Sequence, residues 1–442
     1  NNMNYSLQMR FSVLLVAFLT LWFLLLFYWF PPAKPNSFQD SQGNPSLSSA
    51  LPHCKDNVFV YELPEKFNLD LLRHCQNLNV YTNMCPHVAN GGLGQPLPNM
   101  GSNSWFATHQ YTAEMIFHAR MEKHHCRTRD PQKADLFYVP FYGGLHVSWK
   151  FREPNHAKRD ALALELSDYI RKQPWWQRSN GMDHFLVVGR TAWDFMRSDG
   201  GVDYGANRLL LLPPVQNMSV LIVERNPWQG LNQHGIPYAS YFHPSTMGEM
   251  LKWQERMLRI ERPYLFSFIG APRTGVKKAE IRDEILKQCG ESTRCLLVKC
   301  GHGASKCHQP NEVLKVMTMS HFCLQPAGDM FTRRSTFDSL LAGCIPVFFS
   351  KHTAYSQYAW YLPANPNSYS VFIDGEKDAD KRIEDHLVKI PIDKIEKMRK
   401  KIIHLIPSLT YMHPNSTSYG FQDAVDVAIA ALSKHVESKL KS

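Results

Sequence analysis

The sequence predicts an α/β protein of two domains, each a parallel sheet flanked by helices, behind one membrane-crossing helix. Three observations point there. The chain runs to 442 residues, beyond the size at which a single hydrophobic core usually stops growing. From residue 54 to about 414, short apolar runs alternate with helix-like stretches, the pattern of parallel sheets covered on both faces. Residues 11–30 carry no charge, and a helix needs about 20 apolar residues to cross ~30 Å of hydrocarbon.

The apolar run closes on Phe27, Tyr28, Trp29 and Phe30, which suit an interfacial aromatic belt. A cleaved signal peptide would end in a small-x-small site, so the run reads as a retained anchor. Arg10 and Lys34 flank it almost symmetrically and give little orientation signal. The 10 cysteines help, because they fall into an N-terminal group (Cys54, Cys75, Cys85, Cys126) and a C-terminal group (Cys289, Cys295, Cys300, Cys307, Cys323, Cys344), as disulfides within domains in an oxidising lumen would. Asn217 and Asn415 open two sequons of glycosylation form. These features together predict a cytoplasmic tail over 1–10, an anchor over 11–30 and a lumenal body. Residues 31–53 hold five prolines and five serines without apolar periodicity and read as a stem.

In the first half of the body, residues 58–61, 136–139, 185–188 and 221–223 read as strands, and Tyr111, Met115 and Ala119 recur at helical spacing as a core-facing stripe. The second half repeats the plan, with strands at 264–269, 295–298, 322–324 and 345–349 and helices at 312–319 and 335–341. A polar helical stretch between Pro244 and Arg262 separates two Rossmann-like domains, 54–250 and 251–414. The remainder, 415–442, is a helix with Val425, Ile429, Leu432 and Val436 on one face, able to pack across either domain. Ligands of such sheets bind outside the carboxyl ends of the strands.

The net charge is +10, but Lys and Arg are interleaved with Asp and Glu along the chain and no nucleic-acid motif is present. A soluble basic surface is expected, not nucleic-acid binding.

The segment 322–349, FCLQPAGDMFTRRSTFDSLLAGCIPVFF, reads as strand, glycine loop, basic turn, helix and strand. Gly328 lets backbone approach closely, Arg333 and Arg334 precede helical amides that favour phosphate, and Asp338 lies one turn in. Arg334 and Asp338 share a helix face. They either address one ligand, diphosphate and ribose, or simply pair with each other. A second glycine turn, FSFIGAPR, carries Gly270 and Arg273, with Arg282 on the next helix. It imitates a phosphate loop, but Val276 precedes Lys277 and no Ser or Thr follows the lysine, which excludes ATPase chemistry. In FLVVGRTAWDFM, Asp194 follows an apolar strand and a glycine. It serves either as a general base in a cleft or as a carboxylate stabilising a helix start. Asp378 and Asp380 sit in a charged run, so a solvated loop is expected there and not a metal pair. The irregular spacing of Cys295, Cys300, His302, Cys307 and His308 argues for disulfides over zinc. His118, His124 and His125 lie among Lys and Arg and read as exposed surface.

At VYELPEKFN, NGGLGQPL, the stretch from Trp105 to Tyr142, GRTAWDF, FSFIGAPR and DMFTRRSTFDSLLAGCIPVFF, the sequence resembles the exostosin-like glycosyltransferase family 47, within it the plant xyloglucan galactosyltransferases. The resemblance runs from Cys54 to about Pro414. It implies a GT-B fold, a Golgi-lumenal body, no catalytic metal or other cofactor, and inverting transfer from a UDP-sugar to xyloglucan, with association among Golgi glycosyltransferases open. By position it implies donor-site roles for Ser267, Gly270, Arg273, Gly328, Arg334, Ser335 and Asp338, and a catalytic base at Asp194. The family often carries an acidic residue where His146 stands, a departure that leaves galactose, galacturonic acid, xylose and arabinose as donor sugars. A binding-only member of a synthase complex would need the cleft but not Asp194. A glycoside hydrolase would need two carboxylates across one bond and no diphosphate clamp.

Overall fold

The computed structural model describes residues 54–201, 203–301, 305–377, 382–416 and 420–441. The expected tail, anchor and stem, together with His302, Asp378 and Asp380, lie outside them. Among the described residues no helix is long and apolar enough to cross a membrane.

Two wholly parallel sheets form the body. The first contains β1 (Val58–Val60), β2 (Arg127–Thr128), β3 (Leu136–Val139), β4 (His184–Thr191), β5 (Ser219–Glu224) and β6 (Gln233–Gly235), in the order β2-β1-β3-β4-β5-β6. The second contains β7 (Tyr264–Gly270), β8 (Cys295–Lys299), β9 (Ser320–Gln325), β10 (Ile345–Phe348) and β11 (Val371–Phe372), in the order β11-β10-β9-β7-β8. The eight strands expected from apolar runs are the inner ones and their neighbours, because a parallel strand buried on both faces is apolar throughout. The strands not anticipated, β2, β6 and β11, are only two or three residues long and lie at sheet edges, too short to carry an apolar pattern.

The stripe of Tyr111, Met115 and Ala119 needs correction. The helix is Ala113–Glu122, so Tyr111 precedes it. Ala113, Ile116, Phe117 and Met121 enter the main core, while Met115 packs in a satellite cluster with Leu71, Leu78 and Met84. Enclosure on nearly every side, down to a fully buried Glu114, erased the single-face period.

The polar stretch between the sheets is the helix Met247–Arg259, opened by a capping box of Thr246 and Glu249. Trp253 Nε1 donates to the carbonyl of Leu341 at 2.9 Å. One core runs through both sheets: Val187 and Leu221 of the first and Phe266, Phe322 and Val347 of the second belong to it. Tyrosines tie the halves across it, Tyr358 Oη donating to the Val223 carbonyl at 2.8 Å and Tyr411 Oη to that of Pro237 at 2.7 Å.

The final helix, Ala424–Lys441, buries Val425, Ile429, Leu432 and Val436 in that core. It is fastened to the first half, since Arg120 Nε donates to Asp423 Oδ2 at 2.7 Å and His124 Nε2 lies 2.8 Å from Asp426 Oδ1. His124 is therefore buried and not a surface residue, because the returning helix covers it.

Disulfides join Cys54–Cys126, Cys75–Cys85, Cys289–Cys295, Cys300–Cys307 and Cys323–Cys344. Every cysteine is paired within its own sequence group, so none is a thiolate for zinc.

Candidate active site

The carboxyl ends of β7 and β9, neighbours in the second sheet, carry the two glycine turns. Arg282 stitches them, with Nε on the carbonyl of Ala327 at 3.0 Å and Nη1 on that of Ala271 at 2.6 Å. In the β9 turn the Gly328 amide donates to the Met330 carbonyl at 3.0 Å. The absence of a side chain at Gly328 makes room for Arg333: a β-carbon there would fall 1.3 Å from Arg333 Nη2. The Arg333 guanidinium thus lies directly over the turn, with Nε on the Pro326 carbonyl at 3.2 Å and Nη2 buried with no hydrogen-bond partner.

Positive charge accumulates around that turn. Burial pulls the Arg282 pKa down to about 9, helped by Arg333 and Arg273. Burial likewise lowers Arg333 and Lys278. Among the described residues the one ion pair in this group is Arg273 Nε with Asp329 Oδ1 at 3.3 Å. Several cations with one exposed acid and an orphaned N–H make a site for a polyanion.

Arg334 does not join it. Arg333 is the extended residue before the helix Arg334–Leu341 and Arg334 its first member, so the adjacent side chains diverge. Arg334 Nη1 donates to the Thr108 carbonyl at 2.7 Å, Nη2 to Tyr241 Oη, and Nε stands 3.5 Å from Asp338 Oδ2. Asp338 is 2% exposed and accepts from Ser240 Oγ at 2.6 Å. Burial raises its pKa against the opposing pull of Arg334 and Ser240. Arg334 and Asp338 face each other, and both also bond to the first half through Thr108, Tyr241 and Ser240.

The other expected donor residues separate similarly. Ser335 Oγ donates to Gln325 Oε1 at 2.6 Å and fixes the end of β9. Ser267 is buried within β7 beside Cys323 Sγ, 3.5 Å away, so it faces the disulfide and not the turn. Gly270 ends β7 and accepts from the Cys300 amide at 2.9 Å. His146 is buried, with Nδ1 unpartnered and its pKa lowered to about 4 by burial. Its charged neighbours are Lys150 and Glu165.

In the first sheet, Asp194 sits in the turn Ala192–Phe195 after β4, in a capping box with Thr191. Its Oδ2 accepts from Arg190 Nε at 3.0 Å and from Thr191 Oγ1 at 3.1 Å. Arg190 in turn covers the Tyr111 ring at 4.3 Å and donates to Ser148 Oγ at 2.9 Å. Asp194 thus stabilises a helix start and is ion-paired with Arg190.

Two groups escaped sequence reasoning. Glu224, the last residue of β5, accepts from the Thr332 amide at 2.7 Å, from Thr332 Oγ1, and from Trp193 Nε1 at 3.0 Å. It clamps the turn of the second sheet onto the first, and burial raises its pKa. The available signal was an acid terminating the otherwise apolar SVLIVE. His109, whose charged neighbours are Arg334 and Arg190, is pushed to about 3 by burial first and by His87 and those arginines next, so it is a neutral imidazole.

The asparagine of the first sequon, Asn217, ends a helix and donates through Nδ2 to the Asn180 carbonyl at 3.1 Å. Asn415 is exposed, its Oδ1 accepting from Lys123.

Residues 54–386 match the exostosin GT47 domain. The chain belongs to that family. Among its relatives in Arabidopsis thaliana is a probable xyloglucan galactosyltransferase, GT17, 59% identical over 397 residues, 89% of this chain and 86% of the relative. The xyloglucan galactosyltransferase MUR3 is 46% identical over 85% of this chain and 61% of its own length. Xyloglucan-specific galacturonosyltransferase 1 is 39% identical over 86% of this chain and 57% of its own length. The chain thus spans about three fifths of the latter two. Solved structures are far more distant: the pneumococcal O-GlcNAc transferase GtfA with UDP and GlcNAc matches at 11% identity and a TM-score of 0.29, over 63% of this chain and 60% of that one, and a likeness of that size decides nothing.

Proposed function

We propose that this GT47 chain is an inverting glycosyltransferase that moves galactose from UDP-galactose onto xylosyl side chains of xyloglucan. The observation that carries the reading is the Arg333 guanidinium laid over Gly328, with an unpartnered N–H and Arg273, Arg282 and Lys278 around it. A nucleotide diphosphate would satisfy that N–H and the surplus charge. The diphosphate contact assigned by sequence to Arg334 belongs in this proposal to Arg333, with Arg273 beside it. Arg334 and Asp338 hold the donor half against the acceptor half. The two parallel sheets with the donor turn between them agree with a GT-B arrangement divided near residue 250.

In the proposed reaction a xylosyl hydroxyl attacks the anomeric carbon from the face opposite UDP. The carbon–oxygen bond to the diphosphate breaks as the new one forms, and an α-linked donor gives a β-linked product. The departing UDP keeps the bonding electron pair, and the arginines offset the charge that a metal offsets elsewhere. The hydroxyl proton passes to a carboxylate, for which Asp194 is the candidate. The relative named a galacturonosyltransferase supports UDP-galacturonic acid as an alternative donor; UDP-xylose and UDP-arabinose are further alternative donors, and a glycan-binding member of a synthase complex is the alternative without catalysis. Five disulfides support an oxidising compartment, consistent with a single-pass protein whose body lies in the Golgi lumen.

The test incubates purified full-length protein with xyloglucan oligosaccharides and each UDP-sugar, with and without a chelator. The expected result is a product heavier by one hexose from UDP-galactose, undiminished by the chelator. A pentose or uronic acid gain would change the donor, and loss of transfer with the chelator would overturn the metal-free mechanism. No transfer from any donor by folded protein would overturn catalysis.

A further inference from the structure

Beside the donor turn, aromatic rings from both halves of the molecule gather at the surface. Trp228, in the loop after β5, is 60% exposed. Its ring centroid lies 6.1 Å from Trp193, 5.9 Å from Phe331 and 5.1 Å from His352, each edge to face. Phe331 belongs to the donor turn itself, with Lys278 Nζ 4.8 Å from its ring. Trp193 reaches the same turn through its hydrogen bond to Glu224.

The loop that presents Trp228 is built to hold it there. Asn226 Oδ1 accepts from the amides of Trp228 and Gln229 at 2.9 and 3.0 Å, and the Asn226 amide donates to Gln233 Oε1 at 2.8 Å. Gly230 donates to the Asn226 carbonyl at 3.2 Å, and a β-carbon on it would sit 2.6 Å from that oxygen. Arg225 Nη2 donates to the Gly230 carbonyl at 3.0 Å and Nη1 to that of Ser356 at 3.3 Å. A fixed loop holding a large indole more than half in water, against further rings of the transfer site, is unlike a lone exposed apolar residue.

We infer that Trp228, supported by Trp193, Phe331 and His352, is the stacking platform for a pyranose ring of the acceptor glycan. A β-linked glucan offers alternating C–H faces, apolar and slightly positive, that fit the negative face of an indole, while its hydroxyls stay in water. The inference rests on the proposed transfer reaction for its acceptor, and the platform's continuity with the donor turn sets that glycan next to the donor sugar.

Calorimetry on the full chain tests it without turnover. Xyloglucan oligosaccharide and UDP are titrated separately into the wild type and into Trp228→Ala, Trp228→Phe and Leu231→Ala, the last altering a residue of the same loop that is 90% exposed. Trp228→Ala is expected to weaken oligosaccharide binding about tenfold and leave UDP affinity unchanged. Trp228→Phe should restore most of the loss, and Leu231→Ala should have no effect. Unchanged oligosaccharide binding in Trp228→Ala overturns the inference, as does a loss confined to UDP, which would make the ring a nucleobase contact. If the wild type transfers no sugar yet loses glycan binding on Trp228→Ala, the platform stands and the transfer reaction falls.

Discussion

Gly328→Ala separates the ligand role of the donor turn from its structural one. The new β-carbon would lie 1.3 Å from Arg333 Nη2 and 2.3 Å from Cζ, so the guanidinium must leave its place over the turn. Those atoms end a flexible side chain and the backbone need not move, so folding stability should change by less than ~1 kcal/mol. Losing one charge-assisted contact of about 1.5–3 kcal/mol should weaken UDP binding roughly tenfold to a hundredfold. Calorimetric titration with UDP, beside urea unfolding of the same samples, reads both quantities. Arg333→Ala should reproduce the affinity loss, and the double variant should add little to either single change, because both remove the same contact. Gly235→Ala is the contrasting case, since its β-carbon would meet the Gln357 carbonyl oxygen at 2.2 Å and should destabilise the fold. Normal UDP affinity in a folded Gly328→Ala protein would refute the placement of the diphosphate under Arg333.

Asp194→Asn should bind UDP normally and lower kcat far more than KM if the carboxylate takes the acceptor proton; near-normal kcat would leave it only its capping role. Arg120→Ala strands Asp423, fully buried, and should cost about 3 kcal/mol in urea unfolding, at the low end for a buried pair because the Met412 amide still donates to the carboxylate at 3.0 Å. A loss under ~1 kcal/mol would mean the pair does not fasten the last helix. His146 and His243 are both buried and depressed to about 4, burial being the larger cause in each. The unfolded chain therefore takes up their protons first as pH falls. Their contribution is nearly complete above about pH 7 and lost toward pH 4, amounting to about 3 kcal/mol for the pair between pH 6.5 and 5. Unfolding free energies that stay flat over that interval would contradict neutral burial.

The strands of both sheets were readable where burial on two faces makes a run apolar, as in Val187 to Ile222 across β4 and β5. They were unreadable where Gln233 or Arg127 sits at an edge. The glycine turn was legible as glycine followed by two arginines, but which arginine faces the turn depends on where the helix begins. Arg333 has φ −152° and ψ 145°, and that one extended residue sends its side chain and that of Arg334 to different partners. The capping box at Thr191 and Asp194 follows a local rule, whereas the clamp from Glu224 to Thr332 joins residues 108 apart. Local pattern cannot disclose such a contact. Trp228 had no periodic context at all, and only the rings of Trp193, Phe331 and His352 around it give it meaning.

The core shared by both sheets also governs how this molecule comes apart. Tyr238, 3% exposed, and Tyr358, 1% exposed, lie in the same apolar body as strands of both sheets, so neither half can melt while the other keeps its interior dry. The body should therefore unfold in a single cooperative step, and damage in the acceptor half should appear as lost protection of amides in the donor half.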